Sequence, residues 1–169
     1  MNTNFFPRLG LMFLMIVLQA LVFNHIHLWG CAMPLPYMYY LLLTPSDQPR
    51  WRTVVEGFAL GLFIDMTTST PGVGAAAMTL LGLLVPWYQK LFSPNESGTN
   101  DAYSPSVRNM HWGRFMQYSF FSVLTGVTAF YVFEQFTFYH MSGFIGNVIG
   151  STLLTLIFIA VYERIRTRE

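Results

Sequence analysis

Residues 57–77 read GFALGLFIDMTTSTPGVGAAA, two apolar segments joined by a short polar turn. Gly57 and Gly61 lie four residues apart in the first segment, and the second carries Gly74 followed by three alanines that end at Ala77. Small residues at this spacing let helices approach closely where lipid offers no hydrophobic driving force for association. The spacing favours packing within the chain, and it leaves open a docking face for a partner.

The positive charges follow a regular pattern around these segments. All nine Lys and Arg residues lie in alternate gaps between the apolar runs, and the intervening gaps at 27–33, 67–72 and 134–140 contain none. Polytopic membrane proteins show this pattern when their basic loops stay cytoplasmic. Charged residues make up 10% of the chain, against about 25% in ordinary soluble domains. The sequence therefore predicts one all-α domain, a compact bundle of six transmembrane helices, with both termini cytoplasmic.

The second and third crossings are the shortest of the six. Their apolar parts are only about 13 residues long, a length typical of re-entrant or interfacial segments. The connection at 44–52 nevertheless contains three charges and two prolines, which could not rest in hydrocarbon. Two full crossings are therefore predicted, with Pro34 and Pro36 in the first turns of the second helix. The predicted spans are 9–29, 31–44, 53–66, 73–92, 115–133 and 143–162, and the flexible cytoplasmic loop is 93–114.

Asp65 is the most informative single side chain, because an ionisable group near a membrane helix end is costly unless it is paired, hydrogen-bonded or wet. One interpretation is a capping or turn role together with Thr67, Thr68 and Ser69 near the outer interface. The other is contact with a periplasmic partner or with a polar network inside the bundle. Glu56, at the other end of the same helix, is expected to pair with Arg50 or Arg52.

Other polar residues predict no reaction centre. Asn24, His25 and His27 form a polar cluster at the outer end of the first span, and two histidines two residues apart on a helix point to different sides and cannot both bind one metal. No nucleophile and base, paired carboxylates or phosphate-binding loop occur at plausible spacings. The basic residues are spread over loops rather than gathered into a patch, which argues against nucleic acid. No enzymatic activity, metal or cofactor is predicted.

Several stretches resemble one known family. They are residues 18–28 (LQALVFNHIHL), the Tyr-rich helix with Pro34 and Pro36 that follows, residues 57–65, and residues 69–77. Together they closely resemble the MreD family of rod shape-determining proteins, in its Bacteroidetes form. The resemblance implies a non-enzymatic inner-membrane component of the cell-elongation machinery that contacts membrane lipid and binds the bitopic protein MreC. Through MreC it would be linked to MreB filaments, the elongation transpeptidase and the polymerase RodA.

The same resemblance provides an alternative function. The family is similar in fold to the six-helix substrate-binding subunits of energy-coupling-factor vitamin transporters, so a subunit that binds a small vitamin-type ligand is the second hypothesis. Such a subunit needs a roomy, partly polar pocket at its outer side. The residues predicted to serve helix packing or a partner interface are Gly57, Gly61, Asp65, Pro71, Gly72, Gly74, Ala77, Gly146 and Gly150.

Overall fold

The computed structural model describes residues 5–21, 33–68, 70–92, 105–135 and 141–168. Within these ranges the chain is all-helical and contains no β-strand, which confirms the predicted fold class at that level. The helices are α1 (Phe5–Leu21), α2 (Met38–Leu42), α3 (Arg50–Thr68), α4 (Val73–Leu91), α5 (Val107–Met110), α6 (Trp112–Glu134) and α7 (Met141–Arg168).

Helices α3 and α4 form an antiparallel hairpin in which the two backbones touch. Glycines on both helices face the backbone of the other helix, where any side chain would collide. The two residue numbers of each contact add up to 135, so the register is constant along the hairpin. The contacts are Gly57 with Met78, Gly61 with Gly74, and Gly82 with Thr53.

The other segments alternate in direction along the chain. Helix α1 runs parallel to α3, because Arg8 near its start contacts Glu56 near the start of α3. Helix α6 runs antiparallel to α4, and α7 runs parallel to the segment that contains α2, as their side-chain contacts show. Helices α1, α3 and α6 therefore begin at one end of the bundle, where α4 and α7 terminate. We call it the basic end, because it holds Arg8, Arg50, Arg52, Lys90, Arg114, Arg164 and Arg166.

The second predicted span takes a different form. Only the five residues Met38–Leu42 form a helix, whereas residues 33–37 do not. The prediction that Pro34 and Pro36 lie in the first turns of a long helix is therefore wrong. Each proline lacks an amide donor and crowds the preceding turn, so two prolines two residues apart delay the start of the helix. All residues from 34 to 42 are buried, which places α2 in the centre of the bundle.

The remaining predicted boundaries differ from the helices mainly in length. Helices α6 and α7 extend beyond the predicted spans 115–133 and 143–162 at both ends. Hydropathy marks only the apolar part of a helix, while the hydrogen-bonded backbone continues into polar turns. The predicted loop 93–114 also contains the short helix α5. Its first part, like the end of the predicted first span, lies outside the described residues.

Large apolar side chains cover the outside of the bundle. On α7 the exposed residues recur every four positions, and each is more than half exposed. Two helical segments, Trp112–Glu134 and Gly143–Thr167, are long and apolar enough to cross a membrane by length and composition. The exposed side chains are Trp51, Val55, Phe58, Leu62 and Met66 on α3, Leu80, Leu83, Trp87 and Leu91 on α4, and Ile145, Ile149, Leu153, Ile157, Val161 and Ile165 on α7.

A single methyl group at Gly61 is expected to disturb the α3–α4 hairpin. A Cβ atom there would lie 2.6 Å from the Cα atom of Ala75, a backbone atom that cannot move alone. Gly61→Ala should therefore lower the free energy of unfolding by about 1–3 kcal/mol, although alanine is a better helix former than glycine by about 1 kcal/mol. Thermal unfolding of the purified protein in detergent measures the effect.

The matched control is Gly146→Ala on α7, where the added methyl group would meet no atom of another described segment within 4 Å. This variant should unfold at the wild-type temperature or above it. Equal losses in the two variants would contradict the close backbone contact of α3 and α4.

Candidate functional site

The Asp65 carboxylate joins α3 to α4 at the end opposite the basic end. The residue is only 4% exposed, and it accepts hydrogen bonds from the backbone amides of Gly72 at 3.0 Å, Gly74 at 2.7 Å and Ala75 at 2.9 Å. Amides in the first turn of a helix have no partner within the helix, and the helix dipole favours negative charge there. Asp65, although it lies on α3, therefore caps the start of α4.

The turn between these helices is shaped for this cap. Gly72 has φ 87°, a left-handed conformation that favours glycine, and its amide points to Asp65. The hydroxyls of Thr67 and Thr68 donate to the carbonyl of Ile64 instead, at 2.7 and 3.0 Å. The sequence had grouped Asp65 with these threonines and with Ser69, which lies outside the described residues. In the structure the threonines complete the end of α3, and Asp65 serves the start of the next helix.

At the basic end, Glu56 is the centre of a cluster of paired charges. Arg8 lies 2.7 Å from one carboxylate oxygen and Arg52 lies 3.0 Å from the other. The Tyr40 hydroxyl donates to Glu56 at 3.1 Å, and the Arg8 guanidinium lies 5.4 Å from the centre of the Tyr40 ring. The expected pairing of Glu56 with Arg52 is confirmed. The contribution of Arg8, 48 residues away in sequence, could not be read from local spacing.

A second carboxylate at the same end, Glu163, is almost completely buried at 1% exposure. It accepts hydrogen bonds from the Tyr39 hydroxyl and, at 2.9 Å, from the Val107 amide. Arg166 lies 3.8 Å away. Sequence reasoning missed this residue, and its only signal was an acid at the start of the otherwise basic stretch 163–168. The adjacent tyrosines of α2, Tyr39 and Tyr40, thus donate to two different carboxylates.

The non-helical segment 33–37 obtains its hydrogen bonds from side chains on other helices. The Met33 amide donates to the Ser151 hydroxyl and the Leu35 amide donates to the Thr155 hydroxyl, both at 3.0 Å. Both hydroxyls lie on α7. A buried backbone amide needs a hydrogen-bond partner, and a non-helical segment cannot supply partners through its own turns. The hydroxyls of α7 therefore make it possible for this segment to lie inside the bundle.

Two polar atoms beside this segment lack a hydrogen-bond partner among the described residues. They are Gln19 Oε1 and the Tyr37 hydroxyl, and both side chains are fully buried. The Gln19 amide nitrogen donates to the Pro34 carbonyl at 3.5 Å. A buried unpaired polar group costs about 1–3 kcal/mol. A small polar molecule that reached these atoms would gain hydrogen bonds.

The residues predicted for packing or a partner interface divide into two groups. Gly57, Gly61, Asp65, Gly74 and Ala77 are buried within the α3–α4 hairpin or against it, whereas Pro71, Gly72 and Gly146 are exposed and Gly150 is half-buried. Gly146 therefore does not pack within the described part of the chain, and its role at a partner interface stays a prediction. The predicted polar cluster of Asn24, His25 and His27 lies outside the described residues.

The polar side chains at the two ends of the bundle hold its helices together. Its carboxylates accept hydrogen bonds from backbone amides, tyrosines or arginines at both ends of the bundle. Within the described ranges, no three His, Cys, Asp or Glu side chains are grouped as ligands of one metal ion. No protein-family model, no curated protein and no solved structure matches this chain.

Removal of the negative charge at Asp65 is expected to destabilise the hairpin. In Asp65→Asn, an amide nitrogen replaces one acceptor oxygen, so at least one of the amides of Gly72, Gly74 and Ala75 loses its partner in a buried site. The free energy of unfolding should fall by about 1–3 kcal/mol, measured by thermal unfolding.

The control for this charge removal is Glu134→Gln, at the exposed end of α6 on the same side of the bundle. It should unfold at the wild-type temperature. An Asp65→Asn protein that is as stable as wild type but no longer holds its partner would assign Asp65 to partner binding instead of capping.

Proposed function

We propose that this chain is a six-pass protein of a bacterial inner membrane and a non-enzymatic assembly component of the cell-elongation complex. The observation that carries the membrane part is the distribution of its surface. Soluble monomers rarely expose contiguous apolar patches larger than a few hundred Å². Here large apolar side chains are exposed along α1, α3, α4, α6 and α7. A surface of this kind is suited to hydrocarbon rather than water.

The basic end supports the orientation. Exposed Trp51, Trp87 and Trp112 lie near the ends of α3, α4 and α6 that meet there, beside the cations of the basic end. Tryptophan is enriched at membrane interfaces, and Lys and Arg are enriched on the cytoplasmic side. The basic end therefore faces the cytoplasm in this proposal. Asp65 and the α3–α4 turn then face the periplasm.

Cysteine labelling in spheroplasts tests this orientation. With Cys31 replaced by alanine, Gly113→Cys should react with a membrane-impermeant maleimide only after the membrane is permeabilised, because residue 113 is exposed in the first turn of α6 at the basic end. Pro71→Cys, at the exposed turn on the other side, is the matched control and should react in intact spheroplasts. The reverse labelling pattern would overturn the orientation and with it the proposed assembly role.

The assembly role rests on the resemblance to the MreD family together with the character of the site. The residues that carry the resemblance at 57–77 form the hairpin in which α3, α4 and Asp65 are held together. The polar side chains stabilise the bundle, and the exposed helix faces leave membrane surface for a partner helix. In this proposal the chain binds MreC, which connects it to MreB, RodA and the elongation transpeptidase. It thereby contributes to the regulation of cell shape and of lateral peptidoglycan synthesis.

Co-purification and depletion test the assembly role. The tagged chain should recover MreC from detergent-solubilised membranes, and depletion of the chain should turn rods into round cells. Gly146→Leu and Gly113→Leu change two glycines at which an added Cβ would meet no atom of another described segment within 4 Å, so both variants are expected to accumulate. Loss of MreC in Gly146→Leu alone would locate the contact on α7. Normal rods after depletion, with no MreC recovered, would contradict the role.

A second function is favoured by one observation, the unpaired Gln19 Oε1 and Tyr37 hydroxyl beside the non-helical segment 33–37. Discontinuous helices that expose backbone groups near the middle of a bundle form the binding sites of many transporters. In this alternative the chain is the small-ligand-binding subunit of a transporter. A vitamin-type molecule that survives purification and is detected by mass spectrometry would support it. Gln19→Leu, which removes the unpaired oxygen, should then lose that molecule.

A further inference from the structure

The start of α3 and the end of α4 meet at the basic end with two cations and two tryptophans on the surface. The constant register of the hairpin places Arg50 beside the last two turns of α4, near position 85. Trp51 follows Arg50 on α3, while Trp87 and Lys90 lie in the last turns of α4. All four side chains are exposed. They therefore lie on the surface at the same end of the hairpin, the basic end, which is the predicted inner interface.

Arg50 and Lys90 differ from the neighbouring Arg8 and Arg52, which form ion pairs. Arg8 and Arg52 are engaged by Glu56 at 2.7 and 3.0 Å. Arg50 and Lys90 form no ion pair or hydrogen bond through their side chains with any residue that the structure describes. The acid nearest to Arg50 in sequence, Asp47 in the turn before α3, is exposed and pairs with neither cation. Glu96 and Asp101, the acids that follow Lys90 in sequence, lie outside the described residues. Within the described residues, the hairpin thus presents two positive charges without a paired acid.

An apolar surface continues from these charges toward the middle of the bundle. Val55 and Phe58 on α3 and Leu80 and Leu83 on α4 are exposed. The register places Val55 at the level of position 80 of α4, so both helices present exposed apolar side chains at the same depth. This arrangement matches a phospholipid. The two cations can bind its phosphate, and the apolar side chains next to them can contact its acyl chains.

We propose that Arg50 and Lys90, framed by Trp51 and Trp87, bind the headgroup of an anionic phospholipid of the inner leaflet. The guanidinium can donate two parallel hydrogen bonds to phosphate oxygens, and the ammonium adds a compact positive charge. Tryptophan suits the headgroup level, because its indole N–H can face water while the rest of the ring lies in an apolar environment. Basic groups next to a membrane attract anionic lipids specifically through this charge complementarity. The site rests on the membrane placement in the proposed function.

The experiment uses the full chain in nanodiscs made of phosphatidylcholine with or without phosphatidylglycerol. Native mass spectrometry counts the lipids retained after the disc is removed. Wild-type protein should retain phosphatidylglycerol in preference to phosphatidylcholine. The double variant Arg50→Gln, Lys90→Gln should bind phosphatidylglycerol roughly 10- to 30-fold more weakly, which corresponds to about 1 kcal/mol for each lost cation. The charge-matched control Arg164→Gln, Arg168→Gln, at the end of α7, should retain it as wild type does.

Each other outcome overturns the site. Equal retention of the two lipids by wild type, or equal loss in the control, would show only general attraction to the basic end. Competition by inorganic phosphate at the same concentration would show a site for free phosphate. A double variant that keeps phosphatidylglycerol but no longer recovers MreC would assign the two cations to an acidic protein segment.

The outcomes also separate this inference from the proposed function. A chain that does not incorporate into nanodiscs would contradict both. A chain that incorporates, labels with the expected orientation and shows no preference for the anionic lipid would contradict the lipid site alone.

Discussion

The fold depends on how closely the backbones of α3 and α4 approach. At Gly61 and Gly74 there is no room for a side chain on either helix, so the two helices meet through backbone atoms and many weak contacts accumulate along the hairpin. This proximity brings the first turn of α4 within reach of Asp65. The carboxylate then satisfies amides that would otherwise be buried without partners. The Asp65 cap therefore depends on the glycines, because the carboxylate reaches these amides only where glycine lets the two helices approach closely.

The same principle explains the interior around α2. A short helix preceded by two prolines has backbone groups that its own turns cannot satisfy. Helices α4, α6 and α7 supply the missing partners: Gln89 donates to the Thr44 carbonyl at 2.7 Å, Tyr118 donates to the Leu42 carbonyl at 3.0 Å, and Thr155 accepts from the Leu35 amide. The centre of the bundle is therefore held by directed hydrogen bonds as well as by apolar packing. Such a centre fixes one arrangement of the surrounding helices more strictly than apolar side chains alone would.

Sequence patterns predicted the features that depend on neighbouring residues. The spacing of Gly57 and Gly61 indicated a close helix contact, and the position of Asp65 beside a polar turn indicated a cap. Partners far apart in the chain left no local pattern, as with Glu163 and Val107, which are 56 residues apart. Gly146 illustrates the limit of spacing itself. Gly146 and Gly150 are four residues apart in sequence, as Gly57 and Gly61 are, yet no helix of the described chain lies against Gly146. Spacing in the sequence shows that a helix face carries small residues. Only the three-dimensional structure shows what packs against that face.

The contacts of Glu163 have a consequence for the connection between α4 and α6. The Val107 amide at the start of α5 donates to this carboxylate, which lies near the end of α7. The same carboxylate accepts from Tyr39, so one buried side chain joins α5 and α7 to the central helix α2. Loss of this carboxylate would therefore loosen three helices at once.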